Sequence, residues 1–481
     1  MNIENNTDID LDNITLLTDS YKIPHWYMLD ESTDGVYSYS ESRAGAKFPV
    51  TQFAMLQMYL KMFLQGKVVT KDRIAEGQDF ALNHFGFDKF NSRMWNHILD
   101  RYNGYLPIRI RAVPEGMVIP IGNPLMTVET TDRLLQTAGL TNHLETILTH
   151  NWFPSNVATI GYTIKQYFKA ALEKSADNLD MLPFMLHDFG FRGTSSVQSA
   201  GIGGAAHLIN FLGTDTIPGI QYGRKYYNTR EMLGFSVAAS EHSIKTQFAE
   251  EGEAGEFRVT EDLIRKFPDG ILSDVRDSFN IMRAIDHAGT ELKTKILARN
   301  GKYVFRPDSK RFEGDTPDKQ LVDIAQKLDH YFGSFVNKKG YKVLHPKIGI
   351  IYGDGLSMEE IFRSVDALMA AGYSADTSLY GMGGGLLQKH NRDTQRSAFK
   401  SSAQLRNGVW HDVFKNPEGG NKASKKGRIE TFRDDNGNIV TALQGTPGLE
   451  PLMTTVFENG YITKDYSFKE LRDNANIEVK Y

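Results

Sequence analysis

The spacing of apolar and polar residues divides the chain into two kinds of region. In the first region, alternating segments at 36–40, 108–113 and 117–121 are typical of half-buried strands, and turn residues separate them. An apolar stretch at 55–64 lies between the first two segments and predicts a buried helix. These patterns indicate a β-rich region at the start of the chain.

From Asn142 onward, helices with one apolar face alternate with short apolar strands. The strands are predicted at 184–186, 303–305, 348–352 and 378–380. Strands that alternate with helices in this way are typical of βα units with parallel strands. Over this length of chain, closure into a barrel is the economical arrangement.

The last third returns to strand patterns, with two pairs of apolar segments that each flank an Asn-Gly turn. Asn-Gly between alternating segments predicts a tight hairpin. The paired segments are 429–432 with 439–443, and 454–457 with 461–463. We therefore predict an α/β fold of two domains: a β-rich α+β domain built from residues 1–145 and 394–481, and an irregular (β/α) barrel at 146–393.

Polar residues gather directly after the predicted barrel strands, which is where barrel active sites assemble. The four loops contain His187-Asp188-Phe189 with Arg192, Arg306-Pro307-Asp308, Gly353-Asp354-Gly355 and Gly383-Gly384-Gly385. His187 and Asp188 alone are equally consistent with a buried hydrogen-bonded pair that closes a strand. The recurrence of polar loops after four strands favours one shared binding site.

These loops have the chemistry of a site for phosphates and a sugar. The glycines at 383–385 let backbone N–H groups approach a phosphate, although such a run is also common in plain loops. Asp308 and Asp354 are suited to accept hydrogen bonds from sugar hydroxyls, to bind Mg²⁺, or simply to cap helices. Arg192 and Arg306 suit bidentate contacts with phosphate. Together they predict a sugar polyphosphate as the substrate.

Other candidate residues have less distinctive surroundings. Asp215 lies in a Gly-Thr-Asp turn, and His242 follows small apolar residues, where a histidine is either structural or catalytic. An acidic run at 250–256 is most simply a solvated loop. The basic segment at 415–428 either closes over an anionic substrate or only increases solubility.

Composition narrows the functional classes. A formal net charge of -4 over 481 residues argues against a general nucleic-acid-binding protein, which needs a basic surface. The chain contains 0 cysteines, which excludes disulfides, thiolate metal sites and a cysteine nucleophile. The polar start lacks the features of a signal peptide, and no apolar run approaches membrane-spanning length. We therefore expect a cytoplasmic protein that binds neither nucleic acid nor membrane.

Eight motifs follow one another along nearly the whole chain. They are Thr18-Asp19-Ser20-Tyr21-Lys22, Leu186-His187-Asp188-Phe189-Gly190-Phe191-Arg192-Gly193, Gly213-Thr214-Asp215, Glu241-His242-Ser243, Arg306-Pro307-Asp308-Ser309, Gly353-Asp354-Gly355, Gly383-Gly384-Gly385-Leu386-Leu387-Gln388-Lys389 and Ser424-Lys425-Lys426-Gly427-Arg428. In this order they resemble the nicotinamide phosphoribosyltransferase family. The resemblance implies a homodimeric glycosyltransferase that condenses nicotinamide with 5-phosphoribosyl 1-pyrophosphate, giving nicotinamide mononucleotide and pyrophosphate in NAD salvage. It also implies ATP as a co-substrate, and Mg²⁺ bound mainly through substrate phosphates, with no metal held by the protein alone.

The resemblance also implies roles around the nicotinamide ring. Phe189 would stack on one face of the pyridine, and Tyr21 of the partner subunit would cover the other face. Asp215 would accept the amide N–H and discriminate against nicotinate, whose carboxylate would face another carboxylate. His242 would be phosphorylated by ATP, and Asp277 is the candidate for orienting its ring.

The remaining implied roles concern the ribose and the phosphates. Asp308, Gly353 and Asp354 would hold the ribose, and the implied catalytic residues are His242, Asp277 and Asp308. The residues assigned to pyrophosphate, the 5'-phosphate and neighbouring oxygens are Arg43, Arg192, His242, Arg306, Gly383, Gly384, Arg392, Lys400, Lys415 and Lys422, some of them across the dimer interface.

Three positions depart from the family pattern, and two alternative functions stay open. Ala398 replaces a common serine although Ser397 adjoins it, Lys310 replaces a usual glycine, and Met382 replaces a small polar residue, each at the predicted phosphate site.

One alternative is a nicotinate phosphoribosyltransferase, which Asp215 opposes. The other is a non-catalytic metabolite-binding protein of the same fold, which has no need of a phosphorylatable histidine.

Overall fold

The computed structural model describes residues 9–417 and 424–478 and contains both strands and helices throughout. The strands are β1 (Thr33–Ser42), β2 (Val50–Gln52), β3 (Ile108–Ala112), β4 (Val118–Pro120), β5 (Pro124–Thr130), β6 (Leu186–Asp188), β7 (Gly213–Thr214), β8 (Ala238–Ala239), β9 (Leu272–Val275), β10 (Tyr303–Arg306), β11 (Ser334–Val336), β12 (Lys342–Leu344), β13 (Ile348–Tyr352), β14 (Ser378–Met382), β15 (Ser397–Arg406), β16 (Val409–Asp412), β17 (Ile429–Arg433), β18 (Ile439–Leu443), β19 (Glu450–Pro451), β20 (Thr454–Glu458) and β21 (Tyr461–Ile462).

The α-helices are distributed along the same chain. They are α1 (Leu56–Tyr59), α2 (Lys71–Phe85), α3 (Ser92–Tyr102), α4 (Leu135–Ala138), α5 (Leu140–Thr149), α6 (Trp152–Ser175), α7 (Val197–His207), α8 (Ile217–Tyr226), α9 (His242–Lys245), α10 (Glu253–Lys266), α11 (Ile281–Thr290), α12 (Lys293–Ala298), α13 (Pro317–Phe332), α14 (Met358–Ala370), α15 (Gly384–Leu387) and α16 (Phe468–Ala475). Short 3-10 helices span Ser20–Met28, Leu182–Phe184, Phe191–Gly193, Ala249–Glu251 and Ala375–Thr377, and a π-helix spans Leu60–Leu64. No helix in the described part of the chain is long and apolar enough to cross a membrane.

The chain folds into two compact units. The first unit takes in the described residues up to Thr159, the segment Gly223–Thr229, and the described residues from Asn391 onward. The second unit consists of Ile160–Tyr222 and Arg230–His390. A mixed α/β protein with a barrel-like parallel sheet and a β-rich region from both chain ends is the predicted fold class, and it is confirmed.

The first unit is built on a seven-stranded antiparallel sheet in the order β16-β15-β1-β5-β3-β20-β21. Strand β3 alternates buried and half-buried positions, as the sequence pattern predicts, whereas every position of β5 is buried. Strands β17 and β18 pair antiparallel, and so do β20 and β21, as the Asn-Gly turns predict. The predicted helix at 55–64 is α1 followed directly by the π-helix.

The second unit is built on a seven-stranded sheet in the order β7-β6-β14-β13-β10-β9-β8, in which every pair is parallel. An isolated parallel bridge between Gly213 and Phe235 joins the edge strand β7 to the segment that leads into β8 at the other edge. Helices such as α13 and α14 connect the strands and bury their apolar faces. The alternation of helical and strand patterns therefore produces a curled parallel sheet.

The first barrel strand begins later than the sequence pattern predicts. Residues Leu182–Phe184 form a 3-10 helix, and the strand runs over Leu186–Asp188. Pro183 explains the difference, because proline fixes its own φ and has no N–H to donate to a neighbouring strand. As a result Asp188 is the last residue of the strand and is buried, instead of lying in the following loop.

Glu115 is a buried carboxyl group in the first unit. Its Oε1 accepts a hydrogen bond from the backbone N–H of Gln57 at 2.6 Å, and its Oε2 accepts one from the Tyr227 hydroxyl at 2.5 Å. Burial disfavours the charged form and raises the pKa of Glu115 to about 7 from the ordinary value of 4.5. The folded protein therefore binds this proton more tightly than the unfolded chain does.

Replacing Glu115 by glutamine should remove a pH-dependent loss of stability. The pKa of Glu115 is higher in the folded protein than in the unfolded chain. Its contribution to the free energy of unfolding is therefore fully present below the unfolded pKa of 4.5, and it falls by on the order of 3 kcal/mol as the pH rises towards 7. We expect the thermal midpoint of Glu115→Gln to exceed that of the wild type more at pH 8 than at pH 5. A difference in midpoint that is the same at both pH values would contradict this account.

Candidate functional site

The four predicted polar loops follow strands that are neighbours in the parallel sheet. Strands β6, β14, β13 and β10 lie side by side, so their carboxyl ends meet at one edge of the second unit. A cavity of about 870 Å³ opens there. Its lining includes Phe189, Arg192, Asp215, Glu241, Arg306, Asp308, Gly353, Gly383 and Gly384.

Phe189 occupies a space that two glycines leave free. Its backbone N–H donates to the Met382 carbonyl at 2.9 Å, which continues the pairing between β6 and β14. A Cβ atom at Gly381 would lie 2.1 Å from the Phe189 ring, and one at Gly353 would lie 3.1 Å from it. Side chains at these two positions would therefore displace the ring. The Arg306 guanidinium lies 5.7 Å from the ring centroid.

Asp215 follows β7 and is held at the same edge. Its backbone N–H donates to the Asp188 carbonyl at 2.9 Å, and the Ser236 hydroxyl donates to its Oδ1 at 2.5 Å. Asp188 itself is fully buried, accepts a hydrogen bond from the Gly190 N–H at 2.8 Å, and has a pKa raised to about 6 by that burial. Asp188 thus organises the loops around Phe189 and Asp215, while Asp215 points its carboxylate into the cavity mouth.

Sequence reasoning missed Ser236. No motif marks this serine, because it lies in an ordinary Ser-Val-Ala segment. Its role is set by a contact across 21 positions of the chain, which the sequence pattern does not reveal.

His242 lies between two carboxylates at the start of α9. Its Nε2 is 3.0 Å from Asp277 Oδ1, and its Nδ1 is 3.8 Å from Asp308 Oδ2. The other Asp277 oxygen accepts the backbone N–H of Asp308 at 2.6 Å. Asp277 therefore connects the histidine to the loop after β10, and the structure brings together the three residues that the sequence analysis grouped as catalytic.

The carboxylates at this edge repel one another. Burial raises the pKa of Asp277, and its hydrogen bond from Asp308 and the nearby His242 oppose that rise. Burial also raises the pKa of Asp354, and the neighbouring Asp308 and Asp277 raise it further. A cation or several hydroxyl donors would relieve this repulsion. Within 9–417 and 424–478, no group of three metal-binding side chains forms a ready metal site.

The two predicted arginines differ in how firmly they are held. The Arg306 side chain is only 12% exposed, and its guanidinium contacts the Ser240 carbonyl at 3.3 Å and Asp308 Oδ2 at 3.5 Å. The Arg192 side chain is 84% exposed and lies 3.8 Å from Glu241 Oε2. Arg306 is thus preorganised, whereas Arg192 is open to solvent beside the cavity.

The glycine loop after β14 contains little steric crowding at its centre. A Cβ at Gly384 would have no neighbour nearer than 3.9 Å, and one at Gly383 would lie 3.5 Å from the Phe189 carbonyl oxygen. The glycine at 384 is therefore not required by packing. Its bare backbone is accessible at the cavity wall, as a phosphate-binding loop requires.

A second cavity of about 630 Å³ extends from Phe189 and Asp215 into the barrel interior. Most of its lining is apolar, including Val304, Ile350 and Leu379. Phe189 and Asp215 line both cavities, so they stand where the polar mouth meets the apolar interior.

The remaining predicted cations lie in the first unit, where several are close to one another. Burial lowers the pKa of Lys400, Glu145 opposes this change, and the charges of Arg43, Lys415 and Arg392 lower the pKa further. Arg43, Lys415 and Arg392 are therefore near enough to Lys400 to act on its charge, and we call these four cations the basic cluster. Tyr21, also in the first unit, is 60% exposed and makes an edge contact with His25. Lys422 lies outside the described residues.

The three departures from the family pattern have different surroundings. Met382 is buried, and its carbonyl accepts the Phe189 N–H. Ala398 is buried in β15 opposite Glu41. Lys310 is exposed, and its charge partly offsets the rise in the pKa of Asp354.

Comparison with known proteins identifies the family. The model of the nicotinate phosphoribosyltransferase (NAPRTase) family matches residues 184–461, and the model of the nicotinamide phosphoribosyltransferase N-terminal domain matches residues 13–110. A nicotinamide phosphoribosyltransferase of Xanthomonas campestris pv. campestris is 40% identical over 97% of this chain and 98% of its own. The chain belongs to the nicotinamide phosphoribosyltransferase family. The predicted resemblance and the predicted class, a phosphoribosyltransferase, are confirmed.

Other known proteins are similar to this chain in sequence or in fold. A nicotinamide phosphoribosyltransferase of Mycoplasma pneumoniae is 32% identical over 84% of this chain and 92% of its own. The crystal structure of nicotinate-nucleotide pyrophosphorylase from Pyrococcus furiosus has a TM-score of 0.58 at 15% identity, covering 98% of each chain. Human nicotinic acid phosphoribosyltransferase has a TM-score of 0.52 at 14% identity, covering 96% of this chain and 93% of its own. These two structures show the shared fold.

Proposed function

We propose that this chain condenses nicotinamide with 5-phosphoribosyl 1-pyrophosphate, giving nicotinamide mononucleotide and pyrophosphate in NAD salvage. The observation that carries the proposal is one cavity that contains an aromatic ring, a carboxylate beside it, an arginine, further carboxylates and a glycine loop. The sequence relatives named nicotinamide phosphoribosyltransferase support it. We also propose that the enzyme works in the cytoplasm.

Recognition of the base rests on Phe189 and Asp215. The half-buried Phe189 ring offers a flat apolar surface for an electron-poor pyridine. Because Ser236 already donates to Asp215, the carboxylate is oriented and remains an acceptor for an amide N–H. Nicotinate would instead bring a second carboxylate against Asp215, and the two like charges would repel each other. This geometry favours nicotinamide over nicotinate.

Recognition of the phosphoribosyl group rests on the loops after β10, β13 and β14. Asp308 and Asp354 would accept hydrogen bonds from the ribose hydroxyls, with Gly353 allowing close approach. Arg306 and the exposed Arg192 would bind pyrophosphate, and the backbone at 383–384 would bind the 5'-phosphate. We also propose that Arg43, Arg392, Lys400, Lys415 and Lys422 bind phosphate oxygens, some of them across the dimer interface.

Asp308 and Asp354 would also share Mg²⁺ that arrives with the substrate phosphates. Asp308 raises the pKa of Asp354, and a hard cation bound to these carboxylate oxygens would offset that repulsion. The side chains of the described residues form no group of three metal ligands by themselves, so the phosphates would supply the remaining ligands. When bound, Mg²⁺ would neutralise charge on the departing pyrophosphate. The preorganised Arg306 would stabilise the same charge without further rearrangement.

In the proposed transfer, the bond between ribose C1 and the pyrophosphate oxygen breaks while the pyridine nitrogen forms its bond to C1. Positive charge develops on the ribose, as in an oxocarbenium ion, and the nearby Asp308 and Asp354 would stabilise it. The pyridine nitrogen attacks with its own lone pair, so no general base is required. Phe189 and Asp215 act by orienting the ring towards C1.

We further propose that ATP phosphorylates His242. Asp277 occupies Nε2 at 3.0 Å, so Nδ1 is the nitrogen left to attack the terminal phosphorus of ATP, with ADP as the leaving group. The resulting phosphate would sit within the same carboxylate and arginine surroundings as the substrate pyrophosphate. The free energy of ATP hydrolysis would then support tighter substrate binding.

A homodimer completes the proposal. The side chain of Tyr21 is 60% exposed, and the neighbouring Tyr27 and Met28 are 62% and 71% exposed, which is an apolar surface suited to a second copy of the chain. Tyr21 of the partner subunit would then cover the second face of the pyridine. Light scattering that shows a monomer at assay concentration would contradict this arrangement.

The preference between nicotinamide and nicotinate as substrates distinguishes the proposed function from that of a nicotinate phosphoribosyltransferase. Offered equal concentrations of both bases, the wild type should form nicotinamide mononucleotide in large excess, as measured by chromatography of the products. Asp215→Asn should lower the preference for nicotinamide by about tenfold or more, because the negative charge that repels nicotinate is gone. Asp180→Asn, at an exposed position outside the cavity, is the matched control. Preference of the wild type for nicotinate would overturn the proposal.

The histidine tests the ATP coupling. His242→Ala should abolish the stimulation of mononucleotide formation by ATP and leave slow transfer without ATP, because the imidazole that takes the phosphate is lost while the residues proposed to bind the base and the ribose remain. The measurement is the yield of mononucleotide with and without ATP. His330→Ala, at an exposed histidine on α13, should retain full stimulation. Undiminished ATP coupling in His242→Ala would refute the phosphohistidine.

A further inference from the structure

Beneath the loop that carries His242 lies a buried cluster of four charged side chains. Lys245 and Asp274 have fully buried side chains, and Lys245 Nζ is 3.0 Å from Asp274 Oδ2. Arg276 is equally buried, with Nη1 3.8 Å from the same oxygen. Glu256 is 1% exposed and interacts electrostatically with both cations. Two cationic and two acidic side chains therefore lie together in the interior. Burial raises the pKa of Glu256, and the charges of Arg276 and Lys245 oppose that rise.

Asp274 is the centre of this cluster. Its Oδ1 accepts a hydrogen bond from the Ser240 hydroxyl at 2.6 Å. Its Oδ2 accepts hydrogen bonds from Lys245 Nζ at 3.0 Å, the Tyr303 hydroxyl at 2.6 Å and the Thr260 hydroxyl at 3.2 Å. Four donors thus converge on one carboxylate, two from the segment 240–245 and one each from α10 and β10, which fixes these three segments relative to one another.

Two of these donors lie on either side of His242. Ser240 is two residues before the histidine and Lys245 is three residues after it. The Ser240 hydroxyl also accepts the backbone N–H of Val275 at 2.9 Å. The strand that carries Asp274 leads within three residues to Asp277, which contacts His242 Nε2. The same strand therefore holds the loop and supplies the partner of the ring.

Apolar packing alone would not fix this loop. Helix α9 has only four residues, and its Ile244 is 40% exposed, so it buries little apolar surface. Burial lowers the pKa of Lys245, and Asp274 opposes that change. Burial would raise the pKa of Asp274, but Lys245 and Arg276 bring it below its ordinary value. The pair is held by directional, charge-assisted hydrogen bonds, which are sensitive to small displacements.

We infer that Lys245 and Asp274 are positioning residues that hold His242 against Asp277 for phosphoryl transfer. Neither side chain lines the cavity, so they act through the loop and not on the substrate. The link to phosphoryl transfer rests on the proposed function. The anchoring of the loop does not, and it can be measured separately.

The test uses the full-length protein with two variants. Lys245→Met removes the ammonium group but leaves the cluster with one uncompensated negative charge. The double variant Lys245→Met with Glu256→Gln restores the charge balance, so it separates loss of anchoring from loss of electrostatic stability. Arg258→Met, which removes an exposed cation on α10 that pairs with Glu251, is the matched control.

Three measurements are made on each protein. The first is acid-labile labelling of the protein by ATP carrying a radioactive terminal phosphate, and the second is mononucleotide formation without ATP. The third is amide hydrogen exchange of residues 240–246, read by mass spectrometry. In the double variant we expect labelling to slow about tenfold or more, because a small displacement of a reacting group is costly. Exchange at 240–246 should accelerate, transfer without ATP should fall by a smaller factor than labelling does, and Arg258→Met should behave as the wild type.

Wild-type labelling together with unchanged amide exchange in the double variant would overturn the inference. A wild-type protein that forms mononucleotide but takes up no label would refute the proposed ATP coupling instead, and the exchange at 240–246 would still decide whether Lys245 anchors the loop. If the methionine variants do not fold, Thr260→Val removes one partner of Lys245 at constant charge and similar volume. It should slow labelling by about threefold, and an unchanged rate would count against the inference.

Discussion

The parallel register of the barrel strands is the constraint on which the site depends. Strand β6 pairs with β14 so that Asp188 lies opposite Met382, which places Phe189 beside the glycine loop. The remaining strands continue in parallel through β13 to β10, so the loops with Gly353 and Asp308 emerge at the same edge. A slip of one residue in any pair would turn the alternating side chains to the opposite face of the sheet. The register of backbone pairing therefore determines which side chains lie at this edge of the sheet.

At this edge, small residues leave space for the exposed side chains, and buried polar groups hold the loops that carry them. Gly381 and Gly353 leave the space that the Phe189 ring fills. Buried Asp188 organises the loop after β6, and buried Asp274 connects the segments around His242. These groups are costly to bury. Four hydrogen bonds compensate Asp274, and Asp188 accepts one from the Gly190 N–H. Rigid support beneath an exposed site is what binding a flexible sugar phosphate requires.

Much of this arrangement could be predicted from the sequence, because local signals determine it. The apolar strands, the helical faces and the Asn-Gly hairpins depend on residues close together in the chain. The strand before Phe189 begins later than its apolar pattern predicts, because Pro183 has no N–H to donate to a neighbouring strand. The roles of Ser236 and Lys245 could not be predicted, because their partners lie 21 and 29 positions away. A lysine in a polar segment looks like a solvent-exposed residue until its partner is known.

The central claim is that a phosphoribosyl group and a pyridine bind together at the carboxyl edge of the parallel sheet. The most direct measurement is a crystal structure of the protein with nicotinamide mononucleotide bound. We expect the pyridine against Phe189 with its amide at Asp215, the ribose at Asp308, and the phosphate at the backbone of Gly383 and Gly384. A nucleotide whose ribose and phosphate lie away from Asp308 and the glycine loop would contradict the account.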